Sequence, residues 1–458
     1  MSYVPPYSPS LPDWQRMVSS ALNPALSKVA EAKSLKSDYG AAMDGTSDDT
    51  AAWSKAFTAG GHIVVPEGVT VLDSIPTAPT GTVIVSGAGI GKSIIVVRHT
   101  GARALLFSPA SVTDYVEVTG VTLIAAASGP CPIGIEIAFP STASYPYAQV
   151  KVEAEFRSDL ASVGPSWAST WGRGIRLTNA WYPDINVRGS SAPIAGDTGN
   201  TGFLEVTGGS YGMVGARIQA TWYYGADFIR GSAYIEGIYI KDSEAVGVTR
   251  GVYVPSSTTA GGAAGTYRFQ SLYIINTHMS AHTASYDLDT GLDFRVTGGN
   301  TQRWADASAT NWTGYKLNGV LYPEIIGGTI AGNDASGGIT SLGISATGAN
   351  SAHGIVLGVH FENLDTQFNL AAATSHWTIR GNVSTGATAD TYTLAGTGHD
   401  VEWLDSSGYV KRTVDRYGFF GATPVAKPTV TGAKGGNAAL TSLLTQLASL
   451  GLITDSST

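Results

Sequence analysis

The chain has 458 residues, of which 43% are hydrophobic and 57 are glycine, and its formal net charge is −8 with 27 Lys and Arg. So long a chain with this apolar content can bury a sizeable core. The glycines follow no strict three-residue period, which argues against collagen. The acidic balance argues against an electrostatic nucleic-acid partner. A neutral or weakly charged partner such as a sugar fits the composition better.

Cysteine usage and the N-terminus exclude further classes. Cys131 is the single cysteine, so we expect no disulfide framework, and no CxxC or clustered His/Cys spacing predicts a metal or another cofactor. The opening MSYVPPYSPSLPDW lacks a basic region followed by an apolar stretch. No run of eighteen apolar residues occurs either. We therefore expect neither a signal peptide nor membrane insertion.

The first 36 residues begin with a segment rich in Pro and Ser. We interpret residues 1–36 as an anchoring arm, with a disordered terminus as the alternative. Residues 48–58 then have the pattern of a helix that starts at Asp48 or Asp49 and ends before Gly60. Its apolar face consists of Ala52, Trp53, Ala56 and Phe57. An amphipathic helix of this kind suits the open hydrophobic end of a solenoid.

The segment around this helix resembles a known motif. It is similar to the D-x-G-A-x-x-D-G-x-x-D-D-T-x-A segment that opens the pectate-lyase-like β-helix of phage tailspikes. The matching residues are Asp38, Gly40, Ala41, Asp44, Gly45, Asp48, Asp49, Thr50 and Ala52. The resemblance implies an all-β fold, a right-handed parallel β-helix over residues 37–414, and a homotrimer. It is specific for the fold and weak for the chemistry.

A glycine-led repeat supports a solenoid. Its copies are GIEI from 134, GIRL from 174, GARI from 215, GVYV from 251, GLDF from 291 and GYKL from 314. The second and fourth residues should face inward and the third outward. Stacking would then place Glu136, Arg176 and Arg217, and later Asp293 and Lys316, in outward columns of neighbouring charges.

Residues 415–458 change character. Pro424 and Pro428 mark a linker, and a helix over 437–452 is predicted from an a/d pattern of leucines at 440, 443, 447 and 450. Two heptads are too short for an isolated helix. We interpret this segment as a trimerising helix, with docking on its own chain as the alternative.

Glycan cleavage by hydrolysis requires two carboxylates that flank the scissile bond. Glu236, Asp242 and Glu244 follow the aromatic run 222–224 closely and are our candidate catalytic residues. Solvated turn carboxylates are the alternative interpretation. A second candidate group is Asp287, Asp289 and Asp293, and a third is Glu362 and Asp365.

Aromatic faces suit sugar rings. The candidate substrate-binding residues are Trp167, Trp171, Trp222, Tyr223 and Tyr224. Trp181 and Trp222 occupy the same position in the proposed repeat, so a structural stack is the alternative for Trp222.

Two other chemistries are weaker. His278, Ser280, His282 and Asp287 could serve a deacetylase, but no GxSxG elbow accompanies them. A lyase often uses calcium, and no calcium-loop pattern is present.

The function that the resemblance implies is attachment of a phage to a bacterial surface polysaccharide such as lipopolysaccharide, capsule or exopolysaccharide. The arm would bind phage tail or adaptor proteins. The protein would be assembled in the host cytoplasm into the virion tail and act at the bacterial outer surface. Three alternatives remain at this stage: a tailspike that also hydrolyses the glycan, a non-catalytic fibre, and a secreted polysaccharide lyase.

Overall fold

The computed structural model describes residues 31–458 except 127–130, 142–148, 158–170, 192–200, 262–264, 305–310, 333–339, 349, 387–391, 405–409, 415–427 and 450–451. Two helices lie in the described part, α1 at Thr50–Ala59 and α2 at Ala438–Ser449. The strands are, in chain order, Lys33–Ser34, Asp44–Asp48, Gly61–Val65, Gly68–Leu72, Val83–Gly87, Ser93–Val97, Leu105–Phe107, Tyr115–Ala125, Cys131–Ala138, Gln149–Arg157, Trp171–Thr178, Ala180–Trp181, Asp184–Ser190, Gly202–Thr207, Met213–Val214, Arg217–Gly231, Ile235–Lys241, Glu244–Val254, Phe269–Ile275, His278–Thr297, Asn300–Arg303, Trp312–Leu321, Glu324–Ile326, Thr329–Ala331, Ser341–Thr347, Ile355–Leu357, His360–Glu362, Thr366–Leu370, Thr378–Thr385, Tyr392–Leu394, Asp400–Leu404, Val410–Val414, Thr429–Gly432 and Thr454–Ser457.

One row of strands runs the length of the body and defines the architecture. Successive members pair in parallel, and each contributes one buried β-branched residue to the interior. We call this row A, and its inward residues are Ile63, Val85, Val118, Val152, Ile185, Ile218, Ile240, Ile274, Val296, Ile325, Val356, Ile379 and Val401. β-branched side chains pack well on a pleated surface. The chain is therefore a right-handed parallel β-helix, as the sequence predicted.

A second row of parallel strands contains part of the predicted repeat. Ile135, Ile175, Leu204 and Ile229 follow one another inward in it. Strands Gly202–Thr207 and Arg217–Gly231 thus supply two coils that the glycine-led repeat passed over. The repeat was wrong for GARI and GLDF, because Ile218, the last residue of GARI, and Val296, two residues after GLDF, belong to row A.

The outward columns of unlike charge are confirmed in part. Arg176 lies beside Glu136 in the register and pairs with Glu205 at 2.8 Å. Arg217 lies in row A instead, next to Asp184. Lys316 pairs with Asp287 at 3.2 Å rather than with Asp293.

Helix α1 packs on the first coils through the face that the sequence predicted. Trp53 and Phe57 are buried, and the Phe57 ring lies 5.3 Å from that of Phe107. Asp48 accepts a hydrogen bond from the Thr50 N–H at 3.0 Å, which satisfies a free donor of the first turn. Asp49 instead accepts backbone N–H groups from the preceding loop, including that of Ala42 at 2.7 Å.

Residues with a left-handed backbone conformation lie at the corners between rows of strands. Tyr182 has φ 53°, and its ring lies over Gly215 of the next coil; a Cβ at Gly215 would approach the ring to 2.5 Å. Tyr224, with φ 64°, covers Gly247 in the same way. Both glycines also have positive φ, so they combine a left-handed backbone with close contact from an aromatic ring.

The C-terminal end has two features. Strand Asp400–Leu404 pairs antiparallel with Val410–Val414, whereas all pairings along row A are parallel. Farther along, Thr429–Gly432 and Thr454–Ser457 form a separate two-stranded parallel sheet beside α2. Helix α2 lies within the predicted helix 437–452. Residues 1–30 of the expected arm lie outside the described residues, as does most of the linker after 415.

Candidate functional site

A continuous groove lies on the outer face of the body, across strands Gln149–Arg157, Asp184–Ser190, Arg217–Gly231 and Ile235–Lys241. Its largest cavity has a volume of about 600 Å³, and the residues that line it include Lys151, Asp184, Asn186, Arg217, Gln219 and Tyr239. Cavities of about 310 and 380 Å³ continue it past Arg188 and Thr221 to Tyr223. Neighbouring cavities share lining residues, so we treat them as one site and call it the groove.

The groove follows from strand alternation. In Asp184–Ser190, Asp184, Asn186 and Arg188 point outward, while Ile185 and Val187 are buried. The register places these outward residues beside Arg217, Gln219 and Thr221 of the next coil. Polar side chains from successive coils therefore form parallel columns along the outer face.

An aromatic platform closes one end of the groove. Tyr239 is 48% exposed, and its ring lies 4.9 Å from that of Tyr273 at an interplanar angle of 36°. The Tyr273 hydroxyl donates to Asp293 at 2.6 Å, and partial burial together with this bond raises the pKa of Tyr273. The Arg295 guanidinium lies 5.7 Å from the Tyr273 ring. Tyr239 thus presents a supported ring to the groove.

Ion pairs engage several charges of the groove. Glu155 lies between Arg157, at 2.8 Å, and Arg188, at 2.9 Å. Lys151 pairs with Glu117 at 3.3 Å. For the exposed Arg217 no side-chain hydrogen bond or ion pair is found among the described residues.

Two of the candidate catalytic and substrate-binding residues meet at the other end of the groove. Glu244 lies beside Thr221 in the register and accepts a hydrogen bond from the Tyr223 hydroxyl at 3.3 Å. The His278 Nδ1 lies 3.3 Å from the other oxygen of Glu244. Partial burial and the adjacent Glu244 carboxylate raise the pKa of Tyr223.

Asp242 and Glu236 occupy different places. Asp242 lines the middle cavity at a left-handed corner with φ 46°, where it accepts a hydrogen bond from Asn276 at 2.9 Å. Glu236 lies near the other end of strand Ile235–Lys241 and accepts a hydrogen bond from Tyr234 at 3.0 Å. The extended residues 238–241 between the two carboxylates span roughly 13 Å. A hydrolytic pair needs about 5 to 9.5 Å. Asp242 and Glu244 are closer along the chain, with Ser243 between them.

The prediction that Trp171 and Trp222 bind substrate is wrong, because both side chains are buried. Trp222 is fully buried against Phe156 and Phe203, and Trp171 is 1% exposed. Both occupy inward positions, where a side chain contributes to the core and cannot reach a ligand. Trp181 is also buried but pairs with Val214, so it does not share a column with Trp222. Trp167 lies outside the described residues.

The alternative carboxylates have structural partners. Asp289 pairs with Arg268 at 3.3 Å, and Asp293 pairs with Arg295 at 2.7 Å. Asp365 accepts the Ser341 N–H at 2.7 Å. Ser280, the nucleophile of the deacetylase hypothesis, is fully buried.

Neither a metal-binding cluster nor a membrane-spanning helix occurs in the described part of the chain. Within it, no three His, Cys, Asp or Glu side chains are grouped as a metal site would require. Among the same residues, neither helix has the length and apolar character needed to cross a membrane.

The groove residues Lys151, Asp184, Asn186, Arg217, Gln219 and Tyr239 were missed as site residues. The signal was the alternation of apolar and polar residues in QVKVEAEF, PDINVRG and ARIQATW. Aligning these segments on their apolar positions reproduces the observed columns.

The comparisons with known proteins support the architecture. No protein-family model matches the sequence, and no curated protein does. The A-module of mannuronan C-5 epimerase AlgE6 from Azotobacter vinelandii is similar in structure, with a TM-score of 0.56, 14% identity, and coverage of 81% of this chain and 98% of that one. This likeness shows the β-helix fold.

Two phage proteins also match. The N-terminal fragment of bacteriophage phi29 gene product 12 has a TM-score of 0.45 and 12% identity, covering 92% of this chain and 78% of its own. The gp42 tailspike of Acinetobacter phage vb_AbaP_AS12 has a TM-score of 0.42 and 11% identity, covering 88% of this chain and 68% of its own.

Proposed function

We propose that this protein is a phage tailspike or tail fibre that binds a bacterial surface polysaccharide in the groove. The observation that carries the proposal is an exposed tyrosine ring, Tyr239, at one end of a long polar cleft. Sugar rings stack on aromatic faces, and polar side chains such as Asn186 and Gln219 suit sugar hydroxyls. The motif at Asp38–Ala52 supports the phage assignment.

The dimensions of the groove favour a polymer. Arg217 and Tyr223 stand at the two ends of one extended segment, which at about 3.3 Å per residue is roughly 20 Å long. A single sugar would occupy a fraction of this length. An extended glycan chain would contact Tyr239 at one end and Tyr223 at the other.

Binding to purified bacterial surface polysaccharides tests the proposal. We expect Tyr239→Ala and Gln219→Ala each to weaken binding by about tenfold, because each removes one stacking or hydrogen-bonding contact. Tyr322→Ala is the matched control, since Tyr322 is 50% exposed and does not line the groove. Equal binding by all three variants would rule the groove out.

Depolymerisation is a second candidate, favoured by the position of Asp242 and Glu244 beside the same groove. A protonated carboxyl would act as the acid and an ionised one as base or nucleophile. We expect Asp242→Asn and Glu244→Gln to abolish cleavage and to preserve glycan binding, because an amide cannot exchange protons. Glu236→Gln should have little effect. Unchanged polysaccharide length after incubation with the wild type would leave a binding fibre.

Assembly and location complete the proposal. Residues 1–36 would attach the protein to a phage tail or adaptor protein, and the protein would form a homotrimer. It would be assembled in the host cytoplasm and act at the bacterial outer surface. The exposed leucines of α2 support self-association.

A further inference from the structure

We infer that the groove selects acidic polysaccharides, with a sugar carboxylate bound by Arg217 and Lys241 beside the Tyr239 ring. This inference rests on the proposed function and names the class of glycan. It depends on the positions of a few side chains near Tyr239 and on their unpaired hydrogen-bond donors.

Arg217 differs from the other groove arginines. The guanidinium of Arg188 is engaged by Glu155 at 2.9 Å, and Arg157 contacts the same carboxylate. Arg217 is exposed, and within the described ranges its side chain has no hydrogen-bond or ion-pair partner. Its five N–H donors form a planar fork that matches a carboxylate.

The surroundings of Arg217 suit an acidic sugar. The register places Arg217 directly beside Tyr239, and Lys241 and Gln219 follow two residues later on the same outward faces. Two cations and an amide therefore surround the exposed ring. Lys241 lies 3.6 Å from Asp242, but the two side chains are 64% and 43% exposed, so this pair holds the ammonium weakly.

The cavity that contains Arg217 also contains carboxylates. Asp184 and Glu153 line it with Lys151, whose ammonium is engaged by Glu117. Asp184 is the cross-strand neighbour of Arg217, and no ion pair joins the two side chains in the described part of the chain. Within this cavity Arg217 and Lys241 lie on the side of Tyr239, and Asp184 and Glu153 lie on the side of the earlier coils, so a sugar carboxylate has a favourable position beside Tyr239.

The experiment uses the full chain and a panel of uronate-containing bacterial polysaccharides, each paired with its carboxyl-reduced neutral derivative. We expect the wild type to bind the acidic member of at least one pair about tenfold more tightly, with a preference that shrinks at high salt. Arg217→Gln should remove most of that preference. Arg380→Gln is the matched control, because Arg380 lies on row A outside the groove and pairs with Asp400.

The possible results distinguish the inference, the assignment of Arg217 and the proposed function. Binding that prefers neutral derivatives and still depends on Tyr239 would overturn the inference and keep the proposed function. A preference for acidic glycans that survives in Arg217→Gln would overturn the assignment of Arg217. Binding to neither class would overturn both.

Discussion

Helices α1 and α2 have similar amphipathic patterns but opposite environments. Helix α1 buries Trp53 and Phe57 completely or almost completely. Helix α2 buries Leu444, whereas Leu440 is 39% and Leu443 is 55% exposed. The sequence predicts an apolar face in both cases, but only the fold determines what that face contacts.

The difference has a physical cause. Helix α1 lies against the first coils of a long solenoid, where Trp53 also donates a hydrogen bond to Thr70 at 3.1 Å. Among the described residues, helix α2 lies beside the two-stranded sheet Thr429–Gly432 and Thr454–Ser457. Such a small sheet covers one side of the helix and leaves Leu440 and Leu443 exposed.

The largest expected effect is at the buried helix. Trp53→Ala should lower the free energy of unfolding by about 3 to 5 kcal/mol, because it removes a fully buried ring and leaves a cavity. Urea denaturation of the body measures this loss. Leu357→Ala is the control: Leu357 is an exposed leucine on the body, 36% exposed, and its loss should change the free energy by less than about 0.5 kcal/mol, whereas Leu440→Ala on α2 should leave the unfolding of the body similarly unchanged. Equal losses would abolish the contrast between the helices.

The second effect concerns assembly. Leu443→Asp with Leu447→Asp should weaken self-association by about 2 kcal/mol or more, since charge would enter an apolar contact between chains. Light scattering on the full chain measures the mass. A monomeric wild type would contradict the trimer, and an unaltered trimer in the variant would show that the β-helix bodies hold it together.

A smaller effect is expected at the start of α1. Asp48→Ala should cost about 1 kcal/mol, because the Thr50 N–H would lose its acceptor. Asp48→Asn retains an acceptor oxygen and should lose less. Thermal unfolding of both variants checks this order, and equal losses would assign the effect to charge.

The smallest effect is pH-dependent. Partial burial raises the pKa of Asp48, but hydrogen bonds from Thr50 and from the Asp73 backbone outweigh it and hold the pKa below the usual 3.8. The ionised form is therefore favoured in the folded state. Its contribution to stability is complete above the unfolded pKa and is lost as the pH falls through the folded pKa. Asp48→Asn should flatten the stability profile below about pH 4; an unchanged profile would exclude this residue.

Local features of the fold could be predicted from the sequence. The Asp38–Ala52 motif and the face of α1 depend on neighbouring residues, and both indicated a β-helix. The repeat failed at GARI and GLDF because a glycine-led segment of this kind also occurs where the chain enters row A, at Ile218 and Val296. Gly215, with φ 71°, lies at a corner between strands Met213–Val214 and Arg217–Gly231.

The groove depends on register and was harder to predict. Asp184, Arg217 and Tyr239 come from three coils, and a slip of one residue would turn each strand over. The run 222–224 shows the same limit, since Trp222 faces inward and Tyr223 outward. Aromatic composition alone could not separate a core ring from an exposed one.

The antiparallel strand at the end of row A has a consequence for polymerisation. A stack of parallel coils could in principle continue into another molecule, because an open last strand is a template for the next. Val410–Val414 reverses the strand direction next to Asp400–Leu404. A second molecule that stacked its coils in the same direction would therefore have to pair antiparallel with Val410–Val414. The hairpin thus ends the run of parallel pairings along row A and changes the kind of strand pairing that this end offers.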